Sequence, residues 1–209
     1  MKDIEYVLPS EIEKRSFEII GKELEEMGLV LPKDQEPITK RVIHTSADFD
    51  YVNTMRYSND AIEIARGLIR DGAHIVTDTN MAMAGINKKR LAEYGGAVHC
   101  FMAEEDVAAE AKARQVTRAT VSMERAAQLG LPVIFAIGNA PTALISLYEM
   151  MEEKKFVPDF VIGVPVGFVN VVAAKELFLN SQVPYIINEG RKGGSNIAAA
   201  IVNGILYSM

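Results

Sequence analysis

The sequence predicts an α/β fold: a parallel sheet of about five strands flanked by helices, with an N-terminal helical segment packed beside it, in one domain spanning 1–209. Three observations carry this. Five short runs rich in β-branched residues lack apolar–polar alternation, as strands covered on both faces do. Helical stretches separate them, so the chain repeats a strand–helix–strand unit. No internal repeat, low-complexity segment or Gly/Pro/Ser-rich linker interrupts that rhythm.

Taken in order, Ser10 is the expected N-cap of a first helix, with Glu13 at the capping-box position and Gly28 as the stop. Pro37 opens a second, through roughly Thr45, because its missing N–H falls where a helix has no partner for one. Ser58 or Asn59 caps a third, ending at Gly72. The strand runs AHIVT, AVHCF, PVIFAI, DFVIGV and PYIIN follow, separated by helices over 104–113, 117–128, 141–153, 168–178 and 195–207.

Composition narrows the function. Net charge is −6 with no basic tail, which argues against nucleic-acid binding. No stretch approaches the roughly 20 apolar residues that span a bilayer, so a membrane role is not expected. The start MKDIEYVLPSEIEKRS is acidic where a secretory signal has its apolar core, and Cys100 stands alone. A cytoplasmic protein without disulfides is expected. Its acidity means that an anionic ligand must be held by a few local arginines and backbone N–H groups.

In parallel sheets ligands bind beyond the carboxyl ends of the strands. Three loops there are built of small residues: Gly138-Asn139-Ala140-Pro141-Thr142, Val164-Pro165-Val166-Gly167-Phe168 and Glu189-Gly190-Arg191-Lys192-Gly193-Gly194-Ser195. At helix N-termini such loops can present N–H donors to a carboxylate or phosphate. Turn geometry alone also explains them. No phosphate-loop or G-x-G-x-x-G pattern is present, which disfavours a nucleotide site. Asp78, at the end of a strand, could hold a ribose or cap a helix starting near Asn80.

Four side chains stand out as binding candidates. Ser16 interrupts an apolar stripe that includes Ile12 and Ile20, although a serine there can simply bond back to the preceding turn. Arg41 and His44, three apart, share a helical face; one offers bidentate carboxylate recognition, the other proton exchange near neutral pH. Their alternatives are an ion pair with Glu36 and a helix C-terminal charge. Arg118, in a first helical turn, can reach an anion or remain a solvated charge. Asn139 joins these from the loops.

The remaining candidates read as structure. His74 and His99 lie in apolar strand runs, as core histidines with satisfied rings. Cys100 is packing, and Met81, Met83, Met150 and Met151 fill core gaps or soften a pocket. No Cys/His/carboxylate cluster has metal-ligand spacing, so no metal site is expected.

Five segments go further. Glu13-Lys14-Arg15-Ser16-Phe17, Arg41-Val42-Ile43-His44, Ile137-Gly138-Asn139-Ala140-Pro141-Thr142-Ala143-Leu144, Gly163-Val164-Pro165-Val166-Gly167-Phe168-Val169 and Gly190-Arg191-Lys192-Gly193-Gly194-Ser195 closely resemble the precorrin-8X methylmutase family, from about residue 5 to 207. The resemblance implies an isomerase of cobalamin biosynthesis that moves a methyl group from C-11 to C-12 of a corrin precursor, with no redox cofactor or methyl donor. It implies a tetrapyrrole substrate, with or without cobalt, and a homodimer. On its pattern His44 matches the proton donor/acceptor, and Ser16 and Arg41 match substrate-binding positions. The apolar C-terminal stretch Ile197–Leu206, which needs covering, is the sequence's own support for a dimer. The competing reading is a non-catalytic corrinoid carrier, which would not need an imidazole at 44.

Overall fold

The computed structural model describes residues 4–209 and shows a six-stranded, mostly parallel sheet with helices on both faces. In chain order the elements are α1 (Ile12–Glu26), α2 (Glu36–Ser46), α3 (Tyr51–Thr54), β1 (Met55–Tyr57), α4 (Ala61–Arg70), β2 (His74–Thr77), α5 (Asn80–Gly85) and α6 (Lys88–Ala92). There follow β3 (Val98–His99), α7 (Glu105–Arg114), α8 (Arg118–Ala126), β4 (Val133–Ile137), α9 (Pro141–Glu152), β5 (Phe160–Gly163), α10 (Val171–Leu179), β6 (Tyr185–Asn188) and α11 (Ser195–Tyr207).

The strand order is β1-β6-β5-β4-β2-β3. All five expected strands pair in parallel. The sixth, β1, has no counterpart among the expected strands and runs antiparallel along β6, with Met55 opposite Asn188. Three residues between two helices show no period to read, and only pairing with β6 makes them a strand.

Each inner strand is apolar throughout because its side chains alternate between two apolar layers. Ile134 and Ala136 of β4 join a core with Ile38, Val42, Ile62 and Ile201, while Val133, Phe135 and Ile137 join another with Met123, Leu147 and Phe178. Helices α2, α4 and α11 therefore cover one face, and α8, α9 and α10 the other.

Several boundaries differ from expectation for local reasons. Helix α1 starts after Glu11, with no side-chain cap, so Ser10 is not its N-cap. Neither Ser58 nor Asn59 caps α4: the N-cap is Asp60 at φ 54°, and the Ser58 hydroxyl accepts the Tyr185 N–H instead, at 2.9 Å. Helix α10 begins three residues late because Asn170 is left-handed, at φ 59°. The stretch Ile197–Leu206 is covered inside the chain: most of it is buried, with α2 and α5 lying against α11. It therefore gives no support to a dimer.

Candidate active site

The α1–α2 contact brings two of the five candidate residues, Arg41 and His44, against one ring. Arg41 and His44 lie one turn apart on α2, and both approach Phe17 of α1. The Arg41 guanidinium carbon lies 5.3 Å from the Phe17 ring centroid and 4.6 Å from that of Tyr207, at the end of α11. Aromatic faces suit a guanidinium, whose weak hydration and flat shape allow stacking. Its ion-pair partner is Glu13, at 2.5 Å; Glu36 pairs with Lys40 instead. Glu13 faces α2 and so caps nothing. The His44 imidazole is exposed, its centroid 5.4 Å from that of Phe17.

Ser16 sits next to Phe17, half-buried, and its hydroxyl donates to the Ile12 carbonyl at 2.9 Å. That is the back-bonded arrangement usual for a helical serine, and it leaves the oxygen's lone pairs available. A cavity of about 230 Å³ opens here, bounded by Phe17, Arg41, Gly204 and Tyr207. A wider, shallow cleft of about 710 Å³ runs beside it between Glu13, Phe17, Lys40 and Arg41.

At the carboxyl edge of the sheet the small-residue loops interlock rather than stand open. The Gly194 N–H donates to the Val164 carbonyl at 2.9 Å, and the Gly167 N–H to the Arg191 carbonyl at 3.1 Å. The Thr79 and Ser195 hydroxyls meet at 2.7 Å. Gly193, at φ 153°, lies so close to the Val164 carbonyl that any Cβ would collide with it.

The N–H groups expected to bind a ligand at 138–140 are already occupied. Asp78 is fully buried, and its carboxylate accepts from Gly138 at 2.9 Å, Asn139 at 2.8 Å and Ala140 at 2.5 Å. Neither a ribose ligand nor a cap for α5, it is an internal anion at the start of α9; Thr79 caps α5. Burial pushes the Asp78 carboxyl above its ordinary range, against the pull of the three amides.

Asn139 and Arg118 are both exposed, on adjoining helix starts. The Thr117 hydroxyl, which caps α8, reaches the Thr142 hydroxyl of α9 at 3.1 Å. The far end of α2 is tied to this edge by Lys192, whose ammonium donates to Asp48 at 2.7 Å and Asp50 at 2.9 Å. The two carboxylates raise Lys192 to about 12, and Lys192 in turn lowers Asp48.

The five candidates thus form two groups: Arg41 and His44 against Phe17, with Ser16 the residue before it on α1, and Arg118 with Asn139 on the sheet edge. Of the five, only Arg41 lines these cavities; Ser16, His44, Arg118 and Asn139 line neither. Sequence reasoning missed Phe17 and Tyr207 as stacking partners, since both sit where a core aromatic would. It also missed Lys175, whose signal was a lysine, next to Glu176, in the otherwise apolar run VVAAKELFL.

His74 and His99 satisfy each other, Nδ1 to Nε2 at 2.7 Å, and Phe101 stacks on His99 at 5.8 Å. Burial, then the neighbouring His74, lower the His99 pKa. Among the described residues no three His, Cys, Asp or Glu side chains are grouped to hold a metal ion, and no helix is long and apolar enough to cross a membrane.

Comparison with known proteins adds an independent line. The family model described as precorrin-8X methylmutase matches residues 11–208. A cobalt-precorrin-8 methylmutase from Priestia megaterium is 43% identical over 95% of this chain and 88% of its own length. The Salmonella typhimurium protein of the same name is 41% identical over 96% of both. The crystal structure of a precorrin-8x methyl mutase from Thermus thermophilus superposes with a TM-score of 0.85, at 36% identity, over 94% of this chain and 96% of that one.

Proposed function

The chain belongs to the precorrin-8X methylmutase family and is an isomerase of cobalamin biosynthesis; from that premise we propose that it moves a methyl group from C-11 to C-12 of the corrin precursor, with His44 as the proton donor and acceptor. The shift breaks one carbon–carbon bond as another forms and rearranges the ring's double bonds. Atoms and electrons balance without a methyl donor or redox partner. The Priestia megaterium and Salmonella typhimurium relatives are named for the cobalt-bearing precursor, which is the first substrate to test, with the metal-free ring second.

The observation that carries this reading is the His44–Phe17–Arg41 cluster. An exposed imidazole lies one turn from a guanidinium, against an aromatic wall. A broad apolar ring fringed with carboxylates needs that combination. Phe17 and Tyr207 offer apolar surface, and Arg41 can exchange Glu13 for a substrate carboxylate. The Ser16 oxygen accepts a hydrogen bond. His44 protonates or hydrogen-bonds the conjugated system as its electrons shift, and the remainder comes from holding one conformer. Arg118 and Asn139 take carboxylates at the sheet edge.

We place the protein in the cytoplasm as a homodimer whose copies complete each other's sites. Support comes from the separation of the five residues into two groups on one chain. It comes also from Phe168 and Val169, 81% and 78% exposed at the carboxyl edge. Light scattering should give about twice the 23.0 kDa chain mass. A monomer at micromolar concentration would contradict the assembly.

The purified protein, incubated with cobalt-precorrin-8 or precorrin-8X, should convert the visible spectrum to that of the corrin product. Tight binding of both product and precursor without spectral change would favour the carrier instead. The carrier reading has no support in the names of the relatives, all three of which are methylmutases.

A further inference from the structure

Lys175 of α10 is 1% exposed, yet no carboxylate lies within 4.0 Å of its ammonium among the described residues. Its partners are two backbone carbonyls, Gly190 and Lys192, each at 2.8 Å. Burying a cation without a counter-charge is costly, and an apolar side chain of similar volume would fill the space at less cost. Burial indeed pushes the Lys175 ammonium down to about 8. What a methionine or leucine could not supply is the pair of hydrogen bonds, and these flank one residue, Arg191.

Arg191 is held from other sides as well. Its own carbonyl accepts from the Gly167 N–H at 3.1 Å. Buried Asn188 donates to the Lys192 carbonyl at 2.9 Å and is itself fixed by the Thr54 hydroxyl at 2.6 Å. The backbone at 190–192 is therefore anchored from β6, α10 and the β5–α10 loop. Beyond it the guanidinium lies 5.3 Å from the Phe168 ring centroid, on the edge where parallel sheets bind ligands.

Charge pairing narrows the arginines to three, with this residue among them. Among the described residues, only Arg70, Arg118 and Arg191 of the arginines lack a carboxylate within 4.0 Å. Arg70 ends α4, at the amino edge of the sheet, away from the loops. In a chain of net charge −6, an arginine left unpaired on an anchored loop is a group reserved for an anion from outside.

We propose that Arg191 binds a peripheral carboxylate of the tetrapyrrole, and that Lys175 is the positioning residue that presents it. This rests on the corrin-precursor reading above and adds to it a binding residue and the buried clamp behind it. Phe168 keeps the guanidinium extended over the edge, while Lys175 fixes the backbone from which it projects. The arrangement lowers the ordering cost that a flexible loop arginine would incur on binding.

Titration of the wild-type protein and its variants with the corrin polycarboxylate product tests this, alongside turnover at saturating substrate. Arg191→Ala should raise the product Kd by roughly ten- to a hundredfold, the range for one charge-assisted contact, and flatten its salt dependence. Turnover should fall chiefly through kcat/KM, with a smaller fall in kcat at saturation, because a peripheral carboxylate contact acts mainly on binding. Lys175→Met should raise Kd in the wild-type background and add nothing in the Arg191→Ala background. Should it fail to fold, Lys175→Gln, which keeps a donor for one carbonyl, replaces it. Unchanged Kd in Arg191→Ala, with wild type binding normally, overturns the inference. A Lys175 effect that persists without Arg191 overturns the positioning role. No product binding by wild type overturns the corrin reading, and this inference with it.

Discussion

Phe17 and His44 meet across the α1–α2 contact with ring centroids 5.4 Å apart and planes inclined at 41°. The same phenylalanine lies against Arg41 one turn earlier on α2. A residue without ionisable atoms thus lies against both of the groups we propose for proton transfer and for carboxylate binding. Both groups remain accessible to a ligand while their shared wall is fixed by packing.

His44→Ala should fold and still bind the corrin product, because Phe17, Tyr207 and Arg41 remain in place. Its turnover should fall by at least the roughly 10²-fold that a positioned acid or base supplies. Stopped-flow absorbance at saturating substrate measures this. Near wild-type turnover would show that confinement of the macrocycle drives the shift and would remove His44 from the catalytic role.

Arg41 has an internal competitor for its ligand, the Glu13 carboxylate at 2.5 Å. Arg41→Ala should weaken product binding by roughly 1.5–3 kcal/mol, the value of a charge-assisted hydrogen bond. Glu13→Gln should act in the opposite direction and tighten binding by up to roughly fivefold, since an exposed ion pair is worth about 1 kcal/mol or less. Titration calorimetry separates the two. Weaker binding in Glu13→Gln would mean that Glu13 orients the guanidinium rather than competing for it.

Asp78→Asn replaces two buried acceptor oxygens with one acceptor and one donor, opposite the N–H groups of Gly138, Asn139 and Ala140. At least one buried N–H then faces an amide NH2. The cost should be roughly 1–3 kcal/mol, read as a lower denaturation midpoint with an unchanged m-value. Wild-type stability in this variant would mean that the α9 start can reorganise freely.

Acid should destabilise the protein in part through His99. Its folded pKa lies below the ordinary value, so the unfolded chain takes up a proton that the folded chain resists. The resulting stability is complete above about pH 6.5 and is lost as pH falls from there towards the lower folded value. His99→Gln, which does not titrate and can still bond His74, should lose less melting temperature between about pH 7 and 5 than wild type. Parallel melting curves for the two would place the acid sensitivity elsewhere.

The sequence by itself determined the sheet's five parallel strands, because a strand covered on both faces must be apolar at every position, and that requirement is local. It determined equally that Arg41 and His44 share a face, since three residues make nearly one helical turn. It located Asn139 and Arg118 at helix starts, and Asn139 beyond the carboxyl end of a strand. Tertiary structure alone decided what each group meets there. That Asp78 takes the Gly138–Ala140 donors depends on β2 lying beside β4, a pairing of segments 60 residues apart. That Ile197–Leu206 is internal depends on α2 and α5 packing over α11. The strand β1, the Glu13–Arg41 pair and the Lys175 clamp likewise join segments distant in sequence. Periodicity and capping report only neighbours along the chain, whereas a buried partner is chosen by which segments the fold brings within hydrogen-bond reach.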